Sequence, residues 1–344
     1  MILASQKMFF DISKSSAMPW WVMTSARAAL SAFRTWPAVM IGAAVVIGPA
    51  AVSGQLAAAE PPRTVVATTT VVADLVRQVG GDRVAIDCLM GPGIDPHSYR
   101  ATPRDADRLA RAQLVVASGL HLEGKLSELL ARLSRRVPVT SVADTLPRET
   151  LLPVGDGLYD PHVWFDARLW SRCVPAVVAG LGKLDPAGLE QYETRAADLT
   201  RRLEALDDRV RARLATIPRS RRVLVTAHDA FRYFGRAYDV EVVGVQGTST
   251  ESEAGLADIN RLVDRIVTQS IPAVFVETSV SDRNVTALRE GARARGHVVS
   301  LGGQLYSDAL GGPGSGAETL EAMLMANVET IHRGLSGTAV GDRQ

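Results

Sequence analysis

The stretch DPAGLEQYETRAADLTRRLEALDDRVRARLATIP, residues 185–218, decides how this 344-residue chain is organised. Its apolar positions are Leu189, Tyr192, Ala196, Leu199, Leu203, Leu206, Val210, Leu214 and Ile217. That alternation of three and four residues traces one face of a helix. Asp185 and Pro186 suit the N-cap and first turn, and Pro218 ends the run. At 1.5 Å per residue the predicted helix is roughly 45–50 Å long, enough to run down the side of two lobes. A coiled-coil arm would need apolar positions beyond Ile217, where the pattern stops. A strut of this kind hinders the wide hinge motion open to lobes joined by flexible strands.

On either side of this helix, short β-branched runs alternate with helical patterns. The runs before it are 64–69, 84–89, 114–117 and 137–142; those after it are 223–226, 240–245, 273–277 and 298–301. Helical patterns cover 71–79, 103–111, 126–133 and 254–268. Strands alternating with helices imply parallel sheets covered on both faces. The expected fold is therefore α/β: two lobes with four-stranded parallel sheets, joined by a long rigid linking helix. The lobes are expected at 60–184 and 218–336, with the linking helix at 185–217 and a disordered tail at 337–344.

A hydrophobic fraction of 47% suffices for two cores. Lys plus Arg (38) nearly balances Asp plus Glu (37), so there is no strong field to draw in nucleic acid or an anionic membrane. Cys88 and Cys173 form no CxxC pair and no thiolate metal cluster; two buried thiols are expected, with a bridge between them the alternative. Arg27 and Arg34 precede the uncharged run AVMIGAAVVIGPAAVSGQLAAA, residues 38–59. A basic flank, a short apolar core and small residues before Glu60 match an export signal within a leader of residues 1–59, with Met18 and Met23 as alternative starts. The most apolar part, 38–47, is short for a bilayer span, and an uncleaved anchor is the alternative. With no cysteine near the cleavage region, the expectation is a periplasmic or otherwise extracytoplasmic protein that is not a lipoprotein.

Four side chains carry the chemistry. His97 lies in GPGIDPHSY past the second run, and His162 lies in YDPHVWFD at the end of a loop containing Gly155 and Gly157. His228 follows a run directly in VTAHDAF, and Asp308 follows another in GGQLYSDALGG. Parallel α/β sheets gather ligand groups beyond the carboxyl ends of their strands, where three of these four sit. Two of the histidines share the context Asp-Pro-His. Imidazole together with carboxylate suits zinc, manganese or ferrous iron. Taken singly, each has a plainer reading: a loop histidine satisfied at the surface or in the core, and an Asp308 that holds a turn beside glycines. His121, His297 and His332 lack such context and are read as structural. Glu277, ending a strand, is a supporting group or an alternative ligand.

From about Val65 to Leu335 the chain resembles the solute-binding proteins of ABC importers for zinc, manganese and iron, the TroA-like cluster. The stretches that carry the resemblance are GPGIDPHSYRATPRDADRLARAQLVVASGLHLEG, DPHVWFD, VLVTAHDAFRYFGRAYDV, GVQGTSTESEAGLADI, PAVFVETSVSDRNVTALRE and GGQLYSDALG, in the family's order. The resemblance implies two α/β lobes on one long helix. It implies metal ligands at His97 and His162 from the first lobe and at His228 and Asp308 from the second. Many manganese-binding relatives carry Glu where this chain has His228, and a third imidazole moves the balance towards zinc. Zinc-uptake relatives often carry a His- and acid-rich loop between the first two ligands, whereas 144–159 contains no histidine here. Zinc and manganese stand level, with iron behind.

The implied action is capture without catalysis: Zn2+ or Mn2+ is transported cargo, handed to a membrane permease with a separate ATPase subunit. The carrier is expected to be monomeric and to bind no nucleic acid. The chain lacks GxxxxGK[ST], so ATP hydrolysis belongs elsewhere. Among rival readings, a zinc hydrolase fits three His and an acid but lacks HExxH, and a metal-binding surface adhesin has only family usage behind it. A Ser98, His228 and Asp229 triad can be assembled on paper, without a GxSxG elbow.

Overall fold

β1 (Arg63–Ala67), β2 (Val84–Cys88), β3 (Leu114–Ala117) and β4 (Val139–Ser141) form one parallel sheet in the order β2-β1-β3-β4. Val65 to Ala67 and Leu114 to Ala117 are buried throughout, because helices cover the sheet, which is why these strands read as unbroken apolar runs. The helices of this lobe are α1 (Thr70–Gly80), α2 (Pro103–Arg111), α3 (Leu126–Leu133), α4 (Ala167–Ser171) and α5 (Val174–Leu184). α1 starts where the Thr69 hydroxyl accepts the Val72 N–H, and α2 where Thr102 and Asp105 cap each other ahead of Pro103. This computed structural model describes residues 61–336. The leader, its export signal and the tail 337–344 lie outside the described residues.

Between these elements the chain makes a small antiparallel hairpin, β5 (Pro153–Gly155) and β6 (Leu158–Tyr159), where only a loop is expected from the sequence. Gly155, Asp156 and Gly157 turn it at φ 101°, 51° and 74°, a left-handed path that two glycines make accessible.

α6 (Leu189–Ala215) is the linking helix, 27 residues long and entered through a 3-10 turn, Pro186–Gly188. It spans about 40 Å at 1.5 Å per residue. Tyr192, Ala196, Leu199, Leu203, Leu206, Val210 and Leu214 form its buried face, while Leu189 at its start is exposed. Ion pairs fasten it at both ends. Arg195 meets Asp82 (3.0 Å) and Asp207 meets Arg168 (2.7 Å) in the first lobe, and Arg213 grips both oxygens of Glu329 (2.8 Å each) in the second. Partly exposed pairs contribute only about 0–1 kcal/mol each, so the apolar face does most of the holding.

In the second lobe β7 (Val223–His228) pairs with β8 (Glu241–Gln246), and β9 (Ala273–Glu277) pairs with β10 (Ser300–Leu305), all parallel. β7 lies beside β9, so the order β8-β7-β9-β10 repeats that of the first lobe. Among the described residues no backbone ladder joins β7 to β9, so the expected single sheet is two pairs side by side. Where they meet, the His228 N–H donates to the Glu277 carboxylate at 2.9 Å in place of a strand carbonyl. β10 begins later than the run 298–301 suggests, and Val298 is 80% exposed. Its Gly302 and Gly303 disguise it as a loop; a Cβ at Gly302 would run into the Phe275 ring. Helices α7 (Arg232–Tyr238), α8 (Leu256–Thr268), α9 (Arg283–Ala294) and α10 (Leu320–Leu335) complete the lobe.

The two lobes share a core. Trp164 and Phe165 join Phe231, Phe234, Phe275, Leu310 and Leu324 in one buried cluster, with the rings of Phe165 and Phe231 at 4.3 Å. Trp164 Nε1 donates to the Ser307 carbonyl at 3.1 Å, and the Tyr233 hydroxyl donates to that of Asp160 at 2.9 Å. Thr70 Oγ1 and Asp74 accept the backbone N–H groups of Leu310 (2.7 Å) and Leu320 (3.0 Å). Exposing such rings costs about 1.5–3 kcal/mol each, which confines the lobes to small relative motions. Cys88 and Cys173 are free thiols, and no helix of the described residues is long and apolar enough to cross a membrane.

Candidate metal centre

The loop after β2 delivers His97, and the segment after β6 delivers His162. From the second lobe, the last residue of β7 is His228, and Asp308 stands just past β10. All four side chains are buried, none more than 3% exposed. One ligand atom from each lies within 4.8 Å of all the others. His97 Nε2 is 3.2 Å from His162 Nε2; Asp308 sets Oδ1 3.2 Å from His162 Nε2 and Oδ2 3.4 Å from His228 Nε2. Donors at about 2.0–2.1 Å around a tetrahedral zinc ion stand about 3.3 Å apart, so these spacings suit a single cation.

Each imidazole is aimed by the residues behind it. Asp160 Oδ1 accepts the His162 backbone N–H at 3.0 Å and meets its Nδ1 at 2.8 Å. Glu277 Oε1 accepts the His228 backbone N–H, and Oε2 lies 2.6 Å from His228 Nδ1, though off the line of a hydrogen bond. Asp160 fixes the His162 ring through Nδ1 and Glu277 sets its charge beside Nδ1 of His228, so that Nε2 of each ring faces the centre, the usual support of a metal-binding histidine. Asp95 Oδ1 accepts the His97 backbone N–H at 2.9 Å. On its other side the His97 carbonyl abuts Gly124, at φ +45°, where a Cβ would collide with that oxygen.

The electrostatics are those of a cation site holding protons. Burial disfavours charge on His162, but hydrogen bonds to Asp160 and Asp308 outweigh it and raise its pKa to about 9. His228 is likewise buried, yet Glu277 and Asp308 lift it well above the ordinary histidine value. Burial opposes the Asp308 carboxylate too, but His228 and His162 hold it well below the usual range. His97 has no such support: burial and its two imidazole neighbours outweigh Asp308 and depress it to about 4. In the metal-free protein, two imidazoliums and one imidazole therefore face Asp308.

The four residues singled out in the sequence are thus brought together. Glu277 sits behind His228 as support, while Asp160 and Asp95 were not singled out there. The repeated Asp-Pro-His is the signal that pointed to both, since in each case the Asp carboxylate accepts the histidine N–H. His121 is exposed, His297 Nε2 lies 2.9 Å from the Ile271 carbonyl, and His332 sits against Arg213 on α10. The paper triad dissolves, because Ser98 Oγ donates to Asp95 at 2.8 Å.

Residues 65–334 match the family described as zinc-uptake complex component A, periplasmic (ZnuA). The chain is 44% identical over 272 residues to the manganese-binding lipoprotein MntA of Bacillus subtilis, covering 79% of this chain and 89% of that protein. It is also 44% identical over 275 residues to the zinc-binding protein TroA of Treponema pallidum, covering 80% and 89%. The solved structure of that periplasmic zinc-binding protein superposes with a TM-score of 0.78 at 43% identity, over 80% of this chain and 99% of the other. At 26% identity over 279 residues, the manganese ABC transporter substrate-binding lipoprotein PsaA of Streptococcus anginosus matches as well.

These relatives correct the expectation that the protein is not a lipoprotein: MntA and PsaA are both named lipoproteins. The expectation rested on cysteine placement in the leader alone. A lipid anchor is attached outside the folded lobes and leaves no imprint on them, so neither the fold nor the site argues against one. Its lobes, linking helix and buried His3Asp cluster agree with these matches, and the chain belongs to the zinc-uptake component A family, the metal-binding substrate-binding proteins of ABC transporters, which are not enzymes.

Proposed function

We propose that His97, His162, His228 and Asp308 together hold one zinc or manganese ion between a first lobe at 60–184 and a second at 218–336. The linking helix at 185–217 keeps the lobes in register, and the protein works as a monomer. Family membership implies a membrane permease and an ATPase as partners. The observation that carries the ligand assignment is the convergence of four buried donor atoms within 4.8 Å. A buried cluster of that kind is costly unless a cation or protons balance it.

Three imidazoles favour zinc, whereas Asp308, which turns one oxygen to His162 and the other to His228, can also chelate the larger manganese. Relatives of equal identity are named for each metal, which supports keeping both. Capture releases protons from His162 and His228, so binding strengthens as pH rises towards about 9. Release then requires the permease to separate the first-lobe ligands from the second-lobe ligands.

X-ray absorption at the metal edge tests the ligand set. Protein loaded with zinc or manganese should show three imidazoles and one carboxylate in the coordination shell. A shell with one imidazole, or with sulfur, would contradict the assignment.

A further inference from the structure

The loop 247–255, between β8 and α8, reads GTSTESEAG and is largely exposed. It begins beside Asp229, the residue that follows His228: the Asp229 backbone N–H donates to the Gly247 carbonyl at 3.3 Å, and a Cβ at Gly244 would collide with the Asp229 backbone. It is stiffened by Gln246, whose Nε2 donates to the Ser252 carbonyl at 3.2 Å, and by Ser249 Oγ, which accepts the Glu251 N–H. Its tip then reaches the other lobe. Thr250 Oγ1 donates to Asp95 Oδ2 at 2.6 Å, and Glu251 stands 3.8 Å from Lys125.

Both landing points bear on His97. Asp95 holds the His97 N–H with its other oxygen, and Lys125 follows Gly124, which abuts the His97 carbonyl. One continuous segment therefore runs from the neighbour of His228 to Asp95, which holds the His97 N–H, and to the neighbour of Gly124. A groove of about 770 Å³, lined by Asp229, Gln246, Gly247, Ser249, Ser252 and Glu253 among others, adjoins the loop and leaves it room to retract.

We infer that this loop is a latch across the cleft, in which Thr250 is a positioning residue that holds Asp95, and through it His97, in the closed site until the loop retracts. The inference rests on the metal-carrier reading. The shared core limits lobe separation, so a small retraction of the loop is the step that first frees His97 while His162, His228 and Asp308 stay in place. The Lys125–Glu251 pair is exposed and contributes little; the short hydrogen bond to a carboxylate carries the latch.

The experiment is stopped-flow transfer of zinc from the loaded full-length chain to excess chelator. Thr250→Val removes the hydroxyl while keeping the side-chain shape, and Thr250→Ser restores it. Ser98→Ala removes the donor that reaches the same Asp95 oxygen from within the first lobe. Losing a hydrogen bond to a charged group at a part-buried position should speed release about tenfold in Thr250→Val. Thr250→Ser and Ser98→Ala should stay within about twofold of the unmodified protein, with one zinc bound per chain in every case. Release from Thr250→Val at the unmodified rate overturns the latch. So does equal acceleration in Ser98→Ala, which would trace the effect to Asp95 geometry within one lobe. An unmodified protein that takes up no zinc defeats the carrier reading itself, and the latch with it.

Discussion

Replacing Glu277 with Gln exchanges one carboxylate oxygen for an NH2 group beside the His228 imidazole. Glu277 is 3% exposed, accepts the His228 N–H with Oε1 and sets Oε2 2.6 Å from Nδ1. In Glu277→Gln the amide oxygen keeps the backbone bond, and the NH2 group then faces Nδ1. A donor at that place favours the tautomer with its proton on Nε2, the nitrogen that faces the centre. Loss of such a supporting carboxylate typically costs about 10–100-fold in metal affinity, or about 1.4–2.8 kcal/mol. A second effect has the opposite sign. The same carboxylate raises the His228 pKa, so in the unmodified protein a proton competes with the metal there, as one does on His162 with its pKa of about 9. For His162 at pH 7 that competition amounts to about 3 kcal/mol. Glu277→Gln lessens the competition at His228, where Asp308 still favours the proton, and leaves that at His162 unchanged. Competitive titration against a fluorescent zinc chelator between pH 6 and 9 should therefore show affinity rising with pH in both proteins, less steeply in the variant. The affinity deficit should be small at pH 7 and about 10–100-fold at pH 9. Equal slopes with no deficit at pH 9 would refute the reasoning.

Gly124→Ala should shift His97 and cost about 1–3 kcal/mol of stability, with weakened zinc binding, because φ is +45° and a Cβ would strike the His97 carbonyl; urea denaturation and zinc titration measure both. The metal-free protein should lose up to about 3 kcal/mol as pH rises from 6.5 to about 9. The sign follows from His162, whose folded-state pKa is raised: its contribution is full below the unfolded value and is lost on passing the folded one. Zinc-loaded protein should lack that loss, and denaturation at several pH values checks both. Phe231→Ala, at the aromatic contact with Phe165, should destabilise by about 3–5 kcal/mol while unfolding remains one transition for both lobes; two separate transitions would contradict the shared core.

The linking helix was legible because one stripe, Tyr192 through Leu214, is buried against both lobes, and a buried stripe on a helix has to recur at three and four residues. The site was legible where ligands end strands or follow Asp-Pro, contexts set by local chain geometry. β10 was misplaced because Gly302 makes way for the Phe275 ring and Gly303, at φ +131°, for the Thr330 side chain, tertiary demands that erase strand character. The β5–β6 hairpin is too short to show a period. Asp160 was signalled only by the repeated Asp-Pro-His, and Gly124 and Thr250 had no local signature. Their roles come from contacts with His162 Nδ1, the His97 carbonyl and Asp95, and the last two close only when distant segments meet.

Native mass spectrometry with elemental analysis, on the unmodified protein beside His97→Ala and His228→Ala, tests the central claim most directly. One tightly held zinc or manganese ion per chain, lost from both variants that each remove a ligand from a different lobe, is the predicted result. A protein that takes up no transition metal after reloading, or variants that keep it, would contradict the account.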